Sequence, residues 1–488
     1  MIEDKPKTND TRIPDRSQSE AEDTVRHIWS ALDLPATALA SLHLPRSGRG
    51  YLSSFNIDHI AQAAVGLSAL SAALVDTVRN ESQLRAVEVH SGHASVEYRS
   101  ESLYTLNGER PRAELDPIGG LHETSDGYVR VHDALPNHRS GMLKLLNLSH
   151  DASMDEVAEA IREWTKLELE RAAYENKLAV YALRTYAEWD ALPQVKAFPD
   201  CPISVTRLGE GGSLGLPAHM LQNSDRCLRG LRVLELSRVI AAPVAGRTLA
   251  AHGADVLWVT SPNLPSLPAI DVDTSRGKRT VQLDLNQPAD HAKLVELVQD
   301  CDAFLQSYRP GAIATRGFGP SDLVAINPNI ICANLSAFGT TGPWADRRGF
   351  DSLVQTCSGM NASEAAYFGN LGGEVARPLP CQALDHTSGY FLATGIAAAV
   401  YKRATEGGAW QVDVSLAGTM KYLRSLGQVM PLRGTGLADE GVPACYFEKR
   451  ESGFGMLRAV RHAASVQGAE PRWDYMPKPL GSDELQWL

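Results

Sequence analysis

Aromatic residues are scarce, 7% of the chain, and the seven cysteines, at 201, 227, 301, 332, 357, 381 and 445, form neither a C-x-x-C pair nor a Cys/His cluster. This excludes a disulfide framework and a metal site, and predicts a reducing compartment. Lys and Arg number 47 against 58 Asp and Glu, a net charge of −11, and no basic cluster stands out, so no nucleic acid partner is expected. No apolar run is long enough to span a bilayer. The nearest, residues 60–75, is interrupted by Gln62, Ser68 and Ser71 and reads as a buried helix. Met1 to Asp4 do not open a secretory signal, and Gln486 to Leu488 are not a retention or peroxisomal tail, so the expected location is cytoplasmic, with no membrane contact.

Phosphate-cradling glycine loops are missing too. The turn SRVIAAP from Ser237 contains no glycine, so its backbone does not approach a pyrophosphate as the dinucleotide fingerprint does. There is no G-x-x-x-x-G-K-[ST] loop and no G-x-S-x-G elbow, which sets aside kinase, ATPase and serine-hydrolase chemistry.

What is present is 488 residues with 43% hydrophobic content, enough for one large or two medium domains. Residues 1–22 are almost all polar or charged and predict a disordered tail. Residues 23–205 read as a small, mostly helical region, with strand character at 128–131 after the turn at Ser125, Asp126 and Gly127, and amphipathic helices over 154–192. A Gly/Pro/Ser-rich stretch, 206–226, reads as a linker. From 227 to 435, strands at 232–236, 255–259, 279–285, 303–306 and 330–335 alternate with helices at 244–252, 290–300 and 320–327. That rhythm predicts an α/β fold, an open parallel Rossmann-like sheet with helices on both faces, beside a smaller α+β domain. Residues 436–488 are assigned to a C-terminal tail segment.

The two halves echo each other. Asp58-His59, VGLSAL from Val65 and VEV from Val87 resemble Asp385-His386, TGIAAA from Thr394 and VDV from Val412, although aspartate and glycine are eight residues apart in the first copy and ten in the second. A half-repeat and a chance likeness both fit.

Cations sit beside the strand ends: RGKR from Arg276 before one, YRPG from Tyr308 and then Arg316 after another. Strand ends of an open parallel sheet are where ligands dock, so these side chains are either phosphate ligands or solvated loop charge. Asp351 and Asp385 each stand at a predicted helix start, as an N-cap or as a carboxylate nucleophile, which is ionised near neutrality and needs no general base.

The run LRGLRVLELSRV from Leu228, HGADV from His252, RGKR from Arg276, YRPG from Tyr308, FGTTGP from Phe338, GFD from Gly349 and QVDVSL from Gln411 resembles the family III CoA-transferases, the CaiB/BaiF superfamily, which also holds the α-methylacyl-CoA racemases. The resemblance covers residues 228 to about 423. It implies no permanently bound cofactor, a coenzyme A thioester and a carboxylic acid as substrates, and a homodimer. Asp385 matches the aspartate that carries the acyl group. Arg238, Arg276, Lys278, Arg279, Ser307, Arg309 and Arg316 match a CoA site, with Tyr308 stacking on adenine. Gly119 and Gly120 match a glycine loop that holds the oxyanion. In the racemase alternative Asp351 is the matching acid, Asn334 stands where a histidine is expected and Leu135 where a glutamate is expected; His386, His122 or His132 would have to substitute. A third reading is a non-catalytic thioester-binding homologue. The chain order departs from the family, because small-domain features at Gly119-Gly120, SDGY from Ser125 and YAEW from Tyr186 precede the sheet. A permuted or fused half-repeat would account for that order.

Overall fold

A computed structural model describes residues 13–47, 50–80, 83–111, 117–210, 214–221, 225–369, 374–430 and 441–488. In the first half a short strand β1 (Leu42–His43) precedes the apolar run, which forms the 24-residue helix α1 (Ile57–Asn80). Helix α1 is long and apolar enough to cross a membrane, but its apolar side chains are buried in the protein core. Strand β2 (Val87–Val89) follows. The turn at residues 125–127 makes the hairpin β3 (Gly120–Thr124) and β4 (Gly127–Val131), to which β5 (Val180–Ala182) adds antiparallel. Helices Met154–Arg162 and Lys166–Glu175 cover this sheet, each opened by a capping box, Ser153 with Glu156 and Thr165 with Glu168. Their Val157, Ile161, Leu169 and Ala173 pack on Val129 and Val131.

The main sheet contains β6 (Ile203–Gly209), β7 (Arg232–Leu236), β8 (Asp255–Thr260), β9 (Arg279–Gln282), β10 (Ala303–Gln306), β11 (Ile331–Ser336) and β12 (Ala409–Ser415). Helix α2 (Ala241–Ala251) follows β7, and the 24-residue α3 (Ala383–Glu406) leads into β12. The order is β9-β8-β7-β10-β11-β12-β6, all parallel except β6, which is antiparallel at the edge. Strands this apolar suit a sheet covered on both faces. One face packs on α2 and α3, with α1 against α3, and the other on helices Pro288–Gln299 and Pro320–Ile326.

Strands β7 to β9 are added outward on one side of the sheet and β10 to β12 on the other, so the strand order reverses between β7 and β10 while the strands stay parallel. The loops after these two strands part there and open a crevice at the carboxyl ends. Helices α2 and α3 meet at that crevice. A β-carbon on Gly389 would lie 2.5 Å from the Ala241 carbonyl oxygen and 2.8 Å from Val244, so a glycine is what lets them approach.

The sequence echo is also a structural one. Strand β1 runs parallel to β2, with α1 between them, and β2 takes an antiparallel edge partner, β13 (Ala464–Val466). Strands β11 and β12, α3 and the edge strand β6 repeat this arrangement, and Val87, Glu88 and Val89 occupy the registers that Val412, Asp413 and Val414 occupy. His43 opposite Glu88 corresponds to Asn334 opposite Asp413, and α1 packs against α3.

Three of the boundaries expected from the sequence move. Within the expected tail, residues 1–12 lie outside the described residues, but the chain is packed from Arg16, whose N–H donates to the Ser425 carbonyl at 2.7 Å and whose guanidinium covers the Tyr422 ring at 4.9 Å. The expected linker begins inside β6, which gains its order from β12 some 200 positions away. The C-terminal segment is no separate tail: Gly455–Val460 pairs with Thr105–Leu106, and β13 pairs with β2.

Candidate functional site

The crevice is a cleft of about 800 Å³ lined by the loops after β7 to β11, by Asp385 and Leu416, and by Leu135, Asn137 and His138 of the first half. One chain therefore supplies both walls. Arg238, Arg309, Arg316, Arg347 and Arg348 line it against two carboxylates, Asp284 and Asp385. On a chain of net charge −11, that concentration of cations favours an anionic ligand. The N-terminus of α2 opens onto the cleft at Ala241 and Ala242 with no side chain capping it, which adds the positive end of a helix. Val239 holds φ at 71°, a left-handed conformation that costs a β-branched residue about 1–3 kcal/mol. The strain sits in the loop at the centre of the crevice.

Asp385 is the third residue of α3, and 7% of its surface is exposed, into the cleft. Burial first, then the charges of Asp351 and Glu101, raise its pKa well above the usual carboxylate range. Its proton is therefore held more tightly than that of an ordinary carboxyl, which the expectation of a freely ionised carboxylate did not include.

Asp351 has a different task from the acid–base one expected. It is buried, and its Oδ2 accepts the N–H groups of Leu384 at 2.8 Å and Asp385 at 2.9 Å, while the Gln355 amide donates to its Oδ1. It caps α3 from across 34 residues and fixes where the Asp385 backbone stands. Burial raises its pKa too, and two carboxyls this close resist ionising together. Asp351→Asn keeps a carbonyl oxygen for the cap and removes the charge. The pKa of Asp385 should fall, moving the acid limb of the pH dependence of kcat/KM to lower pH; a pH–rate profile measured beside wild type checks this.

His386 does not substitute as a base in the cleft. Its Nε2 lies 3.0 Å from Oε2 of Glu101, its ring stacks on Tyr98 with centroids 5.2 Å apart, and it does not line the cleft. His122 is tied to the Ile118 carbonyl at 3.0 Å, and His132 stacks on Phe350 at 3.8 Å. Asn334 is held inside the sheet by Gln306 and Asp413, and Leu135 gives the cleft wall an apolar residue.

Of the expected CoA ligands, Arg238, Ser307, Tyr308, Arg309 and Arg316 line the cleft together, and Arg276, Lys278 and Arg279 do not. Arg276 is fully buried, 2.6 Å from Asp273, with its guanidinium 4.0 Å from the centre of the Trp473 ring. Lys278 is buried 2.7 Å from Glu235 and donates to the Pro243 carbonyl at 2.8 Å, and Arg279 makes two bonds to Asp255 at 2.9 and 2.8 Å. These residues precede a strand of the parallel sheet, whereas the cleft lies where strands end. Gly119 and Gly120 enter β3 and are absent from the cleft wall, so the expected oxyanion loop is not brought to Asp385.

The structure adds Arg347, Arg348, Phe350 and His138, which the sequence reading missed. The two arginines follow a strand just as Arg309 does, and that criterion would have found them. His138 carried no signal, since nothing in its sequence context places helix Pro136–Leu145 over the sheet.

Residues 228–444 match the family described as CoA-transferase family III. An acyl-CoA transferase of Gibberella moniliformis is 26% identical over 404 residues, 75% of this chain and 70% of that protein. An acetyl-coenzyme A transferase of Hypoxylon pulicicidum is 34% identical over 51% of this chain and 40% of its own length, and a succinate–glutarate CoA-transferase of Agrobacterium fabrum is 31% identical over 40% and 52%. The chain thus spans about half the length of these last two relatives. Residues 228–444, which carry most of the main sheet and of the cleft wall, thus form a domain similar to the family III CoA-transferases.

Proposed function

We propose that the protein moves CoA between an acyl-CoA thioester and a carboxylic acid, with Asp385 as the nucleophile. The observation that carries this reading is a single buried carboxyl in the first turn of α3, facing a cleft lined by five arginines. A carboxylate oxygen of Asp385 attacks the thioester carbonyl, the C–S bond breaks, and CoA leaves as the thiolate while an acyl-aspartyl anhydride remains. The thiolate then attacks the aspartyl carbonyl, which releases the first acid and leaves an aspartyl-CoA thioester. The acceptor carboxylate attacks that thioester, giving a new anhydride, and the thiolate takes the acceptor acyl group and frees Asp385. The raised pKa serves this chemistry, since a carboxylate of higher basicity is the stronger nucleophile once its proton is gone.

Arg309 and Arg316 are exposed along the cleft, where they suit the phosphates of CoA, and half-buried Tyr308 offers a face for adenine. A cytoplasmic homodimer belongs to the same reading. The racemase alternative is less well supported, because the positions expected to carry its histidine and glutamate hold Asn334 and Leu135 and Asp351 is engaged as a cap. A panel of acyl-CoA donors with free acid acceptors, followed by chromatography, should show CoA exchange with ping-pong kinetics. Binding of CoA thioesters without exchange to any acceptor would favour the non-catalytic reading.

A further inference from the structure

His138 and Arg348 both line the cleft without a side-chain partner among the described residues. His138 is 5% exposed, its Nδ1 is buried without a partner, and neither ring nitrogen bonds to another described residue. Burial first, then His132, Arg348 and Arg238, lower its pKa to about 4, so the ring is neutral at physiological pH, with one N–H to donate. Arg348 is half-buried and makes no ion pair with any described residue. The other inner arginines are engaged: Arg347 pairs with Glu170 at 3.0 Å, and Arg238 donates to the Pro265 carbonyl. A buried polar nitrogen without a partner, as in His138, is costly unless a ligand supplies one, and half-buried Arg348 adds an unpaired positive charge on the same wall.

His138 is connected to the reacting carboxyl through Phe350, two positions after Arg348. Phe350 stands edge-on to the His138 ring at 6.2 Å and stacks on His132, and the next residue, Asp351, accepts the Asp385 N–H. A compact anion at the inner end of the cleft fits His138 and Arg348 better than a solvated phosphate, for which exposed Arg309 and Arg316 are available. An acyl group carrying a second carboxylate would place that anion near Asp385 while its thioester end meets the nucleophile.

We propose that His138 and Arg348 form a subsite for the distal carboxylate of a dicarboxylic acyl group, a proposal that rests on the reading of the cleft as an acyl-CoA site. The guanidinium supplies the charge, and the imidazole N–H supplies a neutral, directional donor.

The test compares succinyl-CoA with butyryl-CoA, which match in chain length and differ at the distal carboxylate. Wild type should bind succinyl-CoA at least about tenfold more tightly, and His138→Phe and Arg348→Gln should each lose about tenfold or more for succinyl-CoA while butyryl-CoA and free CoA change by less than about twofold. Arg348→Gln, in a loop, keeps the test decisive if His138→Phe does not fold. Equal losses for CoA and both thioesters would place Arg348 on a CoA phosphate and overturn the proposal, as would the absence of any preference in wild type. Exchange of the substrate α-proton with solvent that disappears in His138→Phe would make the ring a base and would also overturn it. A succinyl preference that depends on both residues, without CoA exchange to any acceptor, would sustain the subsite while removing the transferase reading.

Discussion

Asp385→Asn is expected to lower CoA transfer by at least about a thousandfold and, at neutral pH, to raise the midpoint of thermal unfolding. The first effect follows because an amide offers no carboxylate to attack the thioester. The second follows from the raised pKa of the native carboxyl, which burial, Asp351 and Glu101 hold above its ordinary 3.8. A group whose folded-state pKa is raised contributes stability that is fully present below its unfolded value and is lost as pH rises through the folded one. The neutral amide escapes that loss. The gain should therefore grow as pH rises from 3.8, level off above the folded-state pKa of Asp385, and vanish near pH 4. Calorimetry of both proteins across pH checks the sign; a variant less stable than wild type at neutral pH would show that the Asp385 carboxyl stabilises its site.

Lys278→Met should cost about 3–5 kcal/mol of stability and leave CoA affinity, measured per folded molecule, unchanged. Glu235 and Lys278 are both buried, 2.7 Å apart, with Ser237 also donating to the same Glu235 oxygen. Burial pushes each toward its neutral form, raising the glutamate and lowering the lysine. Removing the ammonium strands a carboxyl with one oxygen already lacking a partner. Adding Glu235→Gln to Lys278→Met should recover most of the loss, because the amide carries no charge to strand. Denaturant unfolding of the single and double variants, with CoA titrations of the folded fraction, separates this structural role from a phosphate-binding one.

The parts that sequence reveals here are those governed by local pattern. Strands 232–236 and 303–306 appear within a residue of their predicted bounds because runs of Val, Leu and Phe between polar turns suit a covered parallel sheet. Tyr308, Arg309 and Asp385 were legible because a strand or helix end places them directly at the crevice. Distant partners are what local pattern leaves out. The charges of Arg276, Lys278 and Arg279 look the same in sequence whether solvated or neutralised, and Glu235 and Asp255 reach two of them across the sheet. Asp351 does not cap the helix that starts at its own position but one that begins 32 residues later, at Ala383. The order of β6 comes from β12, and His138 enters the cleft only through the packing of the first half over the sheet.

The central claim is a covalent bond to one carboxyl, and the direct test is mass spectrometry after incubation with acyl-CoA thioesters and hydroxylamine. The account predicts a hydroxamate on the peptide that contains Asp385, absent from Asp385→Asn. Unmodified Asp385 across a panel of thioesters that bind and undergo CoA exchange would contradict it.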